Sequence, residues 1–189
     1  MQNIYSINDN LLLRSPVSSD GPALNALVKK SPPLDTNSVY CNLLQCTHFA
    51  NTSVAAVFNK SLVGFISGYC PPETPGTLFI WQVVVAETFR GSGLAKKMLH
   101  WLIEQPACAV VNSLATTITS ENQASWALFQ SFARERNARS FKSVMFHREK
   151  HFDNKHDDEY LLTISPLHQK SMQQHISDLK GYLGSRTSR

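Results

Sequence analysis

The chain has no apolar run approaching the ~18 residues that a membrane-spanning helix needs. It has no CxxC pair, and no apolar leader precedes its four cysteines, Cys41, Cys46, Cys70 and Cys108. Cys41, Cys46 and His48 lie close in sequence, but their spacing fits no zinc pattern, and no second Cys/His pair follows. Reduced thiols, no metal, no membrane and a cytoplasmic location are therefore expected. Lysine and arginine form no stripe interleaved with aromatics, which argues against nucleic acid as a partner. The formal net charge of +4 is mild, and a solvated surface accounts for it. Internal repeats and linker-like stretches are also missing.

What remains is an ordinary globular composition. The chain has 189 residues, 42% hydrophobic and 17% charged. That length can bury one real core. Leu11 to Arg14 reads as a short strand. Ser18, Ser19 and Asp20 offer helix caps, and Pro22 suits a first helical turn. Leu24, Leu27 and Val28 make an apolar stripe. A second helix is expected from about Asn37, after the Ser31-Pro32-Pro33 stop. Ser53 to Phe58 and Leu62 to Tyr69 read as a hairpin turning at Asn59-Lys60-Ser61. Leu78 to Val85 is an apolar strand, followed by a helix over Gly93 to Glu104. Ser113 to Thr119, Asn122 to Arg136, Lys142 to Phe146 and Tyr160 to Thr163 complete a β–α–α–β–β–β–α–β–α–β–β order. That order predicts one α/β domain over 1–164. The polar stretch 165–189, with weak helical spacing at Met172, Ile176 and Leu179, is expected to be a tail.

The turn after Val85 carries the most chemistry. Arg90-Gly91-Ser92-Gly93-Leu94-Ala95 joins a strand to a helix. Successive N–H groups and the positive helix end make such a turn an anion site. It lacks the G-x-G-x-x-G of a dinucleotide fold and the Gly-Lys-Ser/Thr of a Walker loop. It does match R-x-x-G-x-A, which resembles the pyrophosphate loop of the GNAT N-acetyltransferase superfamily. Asn122-Gln123-Ala124-Ser125-Trp126-Ala127-Leu128-Phe129 is similar to that superfamily's second signature. The resemblance implies a mixed, mostly antiparallel central sheet flanked by helices, with splayed central strands. It implies acetyl-CoA as cosubstrate. The phosphates would meet Arg90, Gly91, Ser92, Gly93, Leu94 and Ala95. Val83, Val84 and Val85 would supply backbone to the pantetheine arm and N–H groups to developing charge. Asn122, Ser125 and Phe129 would complete the cofactor side. Many relatives carry an acidic Tyr where this chain has Phe129, and a phenyl ring donates no proton. Arg90 either adds charge to the phosphates or shapes the turn.

Further blocks narrow the resemblance. Ser31 to Tyr40, Val63 to Tyr69 with Pro71-Pro72, Phe79 to Val83 and Ala133 to Arg136 are similar to the diaminobutyrate acetyltransferases of ectoine synthesis. This likeness spans about residues 10 to 163. It implies acetyl transfer to the 4-amino group of a small diamine, and a homodimer. A substrate with two ammonium groups calls for acids and aromatics. Asp35 either grips an ammonium or caps the second helix. Trp81 walls the channel or belongs to the core. Tyr40 donates to a carboxylate or packs on its helix. Gln82, placed mid-sheet, needs a buried partner. By position in the resembling family, His156 and Glu159 are the candidate proton acceptors; a solvated acidic turn is the alternative. His48 reads as a helix-end residue. An acetyltransferase for another diamine, a polyamine or a protein lysine stays open. So does a non-catalytic acyl-CoA-binding module.

Overall fold

The structure, a computed structural model, describes residues 5–8, 10–32 and 34–168. Its frame is one eight-stranded sheet. The strands are β1 (Tyr5–Asn8), β2 (Leu11–Arg14), β3 (Val54–Phe58), β4 (Ser61–Tyr69), β5 (Thr77–Val85), β6 (Ser113–Ile118), β7 (Arg139–Phe146) and β8 (Glu159–Ser165). They lie in the order β1-β2-β3-β4-β5-β6-β8-β7. Every neighbouring pair is antiparallel except β5 and β6. The expected hairpin forms, with Phe58 opposite Ser61. Its two turn residues, Asn59 and Lys60, both have positive φ. That is the backbone of a primed turn, whose twist matches the flanking strands.

Helices cover both faces. On one side, α1 (Gly21–Lys29) and α2 (Val39–Thr47) pack together. A small core of Leu24, Val28, Cys46, Ala55, Phe65 and Val84 lies beneath them. On the other side, α3 (Leu94–Ile103) and α4 (Gln123–Glu135) cover the larger core. Its centre is Met98, Leu99, Leu102, Phe129 and Phe132, against Leu78, Ile80 and Leu114 of the sheet. Their spacing follows the helical period, so each helix turns one apolar stripe inward. Charge ties the pair across its solvent side. Glu135 of α4 accepts from Lys96 and lies 2.8 Å from His100 Nε2, while Arg136 meets Glu104 at 2.9 Å. The Ala133 to Arg136 block thus links α4 to the helix behind the glycine turn.

Two details of β5 matter most. It pairs with β6 only from Thr77 to Ile80, opposite Ser113 to Thr116. Beyond that point the two strands part. At the same level, β5 bulges against β4: Ser67 faces Gln82, Gly68 faces Ile80, and Trp81 is the extra residue. The extra residue reverses the side-chain alternation. Before it, Leu78 and Ile80 enter the larger core. After it, Val84 enters the small core, while Val83 and Val85 turn to the larger one.

Several expectations need correction. Asp20 makes no cap hydrogen bond to α1. Its carboxylate is held by both terminal nitrogens of Arg14, at 2.7 and 2.8 Å, and by Val17 N–H at 2.8 Å. The second helix begins at Val39, with Ser38 Oγ accepting from Cys41 N–H at 3.1 Å. Asp35 is therefore free of capping duty. Besides short 3-10 turns, one strand and one α-helix were absent from the sequence reading: β1 and the five-residue helix α5 (Arg148–Phe152). Both are short and polar, so neither carries a periodic apolar signal. The start of the expected tail belongs to the domain: β8 runs through Ser165, and Leu167 is buried in the larger core. The remainder, 169–189, including Met172, Ile176 and Leu179, lies outside the described residues.

Burial alone would raise the Asp20 carboxyl, but the Arg14 and Val17 hydrogen bonds outweigh it and leave it below the ordinary range. A depressed carboxylate stabilises the fold above its unfolded pKa, and that contribution is lost as pH falls through the folded value. Asp20→Asn should therefore cost about 2 kcal/mol at neutral pH, leaving Arg14 without its charge partner. Urea unfolding of both proteins should show the gap closing in acid.

Candidate active site

The glycine turn has the backbone of an anion cradle. A short 3-10 turn (Glu87–Phe89) leads through extended Arg90 into Gly91 at φ 74° and Gly93 at φ 78°. These left-handed values favour glycine. A Cβ built at either position would meet nothing within 4 Å. Conformation, together with open space in front of the turn, explains both glycines. The first hydrogen bond of α3 runs from Lys97 N–H to Gly93 O at 3.1 Å. The N–H groups of Leu94, Ala95 and Lys96 precede it and point out of the helix end. Ser92 Oγ donates to Phe89 O at 2.6 Å, and Arg90 Nε donates to Val85 O at 3.1 Å. Arg90 thus shapes the turn from the strand side.

Asn122 Oδ1 accepts from Ser125 N–H at 3.1 Å, making Asn122 the N-cap of α4. The second signature therefore builds a helix start. Phe129 is 1% exposed and lies in the core between the helices and the sheet.

Where β5 and β6 part, the face toward α1 and α2 collects the polar groups. Gln82 follows the bulge and is 8% exposed. Its Nε2 donates to the backbone carbonyl of Asp35 at 3.3 Å. That bond sets the amide's orientation and leaves Oε1 as a buried acceptor without a partner. The hydroxyl of Ser67, directly across the ladder, is also buried and unpartnered. Glu159 heads β8. Burial pushes its carboxyl above the usual range. A Thr117 hydrogen bond and the nearby His156 oppose that push, and the charge of Asp35 adds to it. His156 Nδ1 lies 2.8 Å from the Asp157 carbonyl, so that nitrogen donates. Its Nε2 faces Glu159 Oε1 at 3.8 Å. Asp35, Gln82, Glu159 and His156 thus share one neighbourhood.

Trp81 is not core. The bulge leaves it 46% exposed, with its ring 6.4 Å from Phe49 in an edge contact. Phe49 contacts Tyr69, which contacts Phe79. This aromatic wall went unread in the sequence, since its rings come from three separate segments. Thr117 was missed too, although alternation along Ser113–Ile118 puts it on the polar face. Tyr40 does not pack on its helix; it is 70% exposed in the first turn of α2. His48 ends α2 and is exposed. Burial pushes the thiols of Cys46 and Cys108 up to about 12, so neither is a ready nucleophile. Among the described residues, no three His, Cys, Asp or Glu side chains gather to hold a metal ion.

Residues 24–133 match the acetyltransferase (GNAT) family. The chain is 45% identical over 157 residues to an L-2,4-diaminobutyric acid acetyltransferase from Methylotuvimicrobium alcaliphilum, covering 83% of this chain and 91% of that one. A relative of the same name from Vibrio parahaemolyticus is 46% identical over 153 residues, covering 81% and 84%. The chain belongs to the L-2,4-diaminobutyric acid acetyltransferase family. Among solved structures, a diaminobutyrate acetyltransferase from Paenibacillus lautus superposes with a TM-score of 0.81 at 36% identity. The match covers 86% of this chain and 99% of that one, whose structure contains L-2,4-diaminobutyric acid and coenzyme A. An acetyltransferase from Salmonella typhimurium, at 16% identity and a TM-score of 0.65, shares the fold. Family membership agrees with the open cradle at Gly91 and Gly93 and with the parted strands beside it.

The raised Glu159 carboxyl has a consequence for stability. A carboxyl raised by folding favours the folded state in acid and loses that contribution as pH rises through its folded value. Glu159→Gln removes the buried charge, so it should melt no lower than the wild type at neutral pH. Thermal melts across pH should show any advantage of the variant shrinking in acid.

Proposed function

We propose that this protein transfers the acetyl group of acetyl-CoA to the 4-amino group of L-2,4-diaminobutyrate. The observation that carries this reading is the composition of the polar face. Asp35, Glu159 and the unpartnered Oε1 of Gln82 are all acceptors. They suit a compact molecule bearing two ammonium groups and suit an anion poorly. Trp81 at the bulge and Tyr40 in the first turn of α2, both exposed, would offer an indole N–H and a phenol to its carboxylate. The relatives' names supply the identity of that molecule.

The chain's residues divide the work. N–H groups of Gly91 to Ala95 would hold the pyrophosphate, with the α3 dipole behind them. The backbone of Val83 to Val85, freed from β6, would take the pantetheine arm and face the charge that develops during transfer. Acetyl-CoA supplies the activated acyl group. The substrate amine must lose a proton, because primary ammonium groups are mostly charged near neutrality. Glu159 would accept it, directly or through a water, with His156 beside it as the next acceptor. Phe129 has no proton to give, and a thiolate leaves without one because its basicity is modest. Asn122 and Ser125 would support the cofactor side by fixing the start of α4.

A second reading concerns assembly. All eight residues of the edge strand β7 are exposed, including Phe141, Val144, Met145 and Phe146. Bare apolar edges invite pairing. This supports a homodimer formed through β7. Light scattering should give twice the chain mass, and Phe141→Lys should shift it toward one.

The activity has a direct test. Thiol release should be followed with diaminobutyrate, ornithine, lysine, a polyamine and a lysine peptide. Diaminobutyrate should have the highest kcat/KM by at least about tenfold. Glu159→Gln should lower it by about 100-fold or more. A wild-type protein inert toward diaminobutyrate would overturn the assignment.

A further inference from the structure

A chain of buried amides lies between α1 and α2, where apolar packing would be expected. Asn25, Asn42 and Gln45 are all buried. Asn25 Nδ2 donates to Asn42 Oδ1 at 2.8 Å and to the backbone carbonyl of Asn37 at 2.9 Å. Asn42 Nδ2 reaches Gln45 Oε1 at 3.5 Å, and Gln45 Nε2 meets Cys41 Sγ at 3.7 Å. Two facing helices can pack on apolar side chains alone, and a buried amide chain is stable only when its groups are satisfied. Here one terminus of the chain leaves the helix pair and ends on the loop that carries Asp35.

That loop, residues 34–38, is held from two sides. Gln82 grips the carbonyl of Asp35 from the sheet. Asn25 grips the carbonyl of Asn37, two residues on, from α1. Both grips are side-chain donors on backbone carbonyls, so neither engages the Asp35 carboxylate. Asp35 itself is exposed and makes no cap.

We propose that Asn25 is a positioning residue for diamine binding: its amide clamps the 34–38 loop and so fixes the Asp35 carboxylate opposite the Glu159 side of the site. The clamp rests on the diaminobutyrate reading for its substrate, and it acts on the diamine side alone. The pyrophosphate cradle lies on the other helix pair and does not touch it. Removing the clamp frees the loop, so the carboxylate samples positions that do not meet the ammonium. The loss is one of ground-state binding and falls on KM. It also loosens the fit to the spacing between the two amines, so preference over the longer ornithine narrows.

Asn25→Leu keeps the branched shape and removes both donors. Asn42→Leu breaks the helix-pair arm but leaves Asn25 its bond to Asn37. Steady-state kinetics and melting temperatures should be measured for both. Asn25→Leu should raise the diamine KM about tenfold or more and leave the acetyl-CoA KM within about twofold. Asn42→Leu should melt lower yet keep the diamine KM within about threefold. Should Asn25→Leu not fold, Asn25→Ser, too short to reach Asn37, carries the same expectation. A diamine KM within threefold of wild type in the Asn25 variant overturns the proposal. An equal rise in both variants, or a parallel rise in the acetyl-CoA KM, overturns it as well. Wild-type turnover of diaminobutyrate tests the underlying reading separately. If the wild type prefers another diamine, that diamine is used and the same comparison decides the clamp.

Discussion

The site depends on the place where β5 stops pairing with β6. Four residue pairs join the strands, from Thr77 and Ser113 to Ile80 and Thr116, and then the ladder ends. An unpaired strand edge inside a sheet is costly unless something takes its N–H and C=O groups. Here the freed edge of Trp81 to Val85 leads through the Glu87–Phe89 turn to Gly91 and Gly93, with Arg90 Nε taking the Val85 carbonyl on the way. A ligand that lies along the edge and ends on the turn would satisfy both.

The bulge at Trp81 makes the opening usable. Without the extra residue, strict alternation would keep Val84 on the larger-core side with Leu78 and Ile80. With it, Gln82 faces the α1–α2 loop and Trp81 is pushed into solvent. One inserted residue therefore orients the amide toward Asp35 and builds the aromatic rim with Phe49. The site also carries a cost. Glu159 is partly desolvated, and Gln82 and Ser67 leave buried oxygens unpartnered. Such groups weaken a fold. Their concentration on one face of the opening is what a polar, doubly cationic ligand would offset.

Much of this was legible in the order of residues. Gly91 and Gly93 announce a strained turn, Asn122 announces a helix start, and the stripes of Leu24, Met98 and Phe132 announce buried helix faces. These signals are local: each depends on residues within a turn or two. The position of Trp81 was left open between channel wall and core, and the role of Asp20 was not legible. Trp81 sits in an apolar run, and only the register against β4 shows that it is not core. Asp20 reads as a cap until Arg14, on the preceding strand, is seen to reach it. Asn25 gave no signal at all, because a polar residue on a helix reads as solvent-facing unless a second helix covers it.

The sequence by itself therefore determined most of the elements, the glycine turn and the family. The elements and the turn follow from backbone preference and apolar period, which act over a few residues, whereas the family rests on the resemblance of whole residue blocks. The tertiary structure alone decided which side chains look into the opening. That choice rests on strand register, on one bulge and on amides bonded across 17 and 47 residues of chain. Contacts of that kind have no fixed spacing in sequence, so only packing of the whole sheet and its helices selects them.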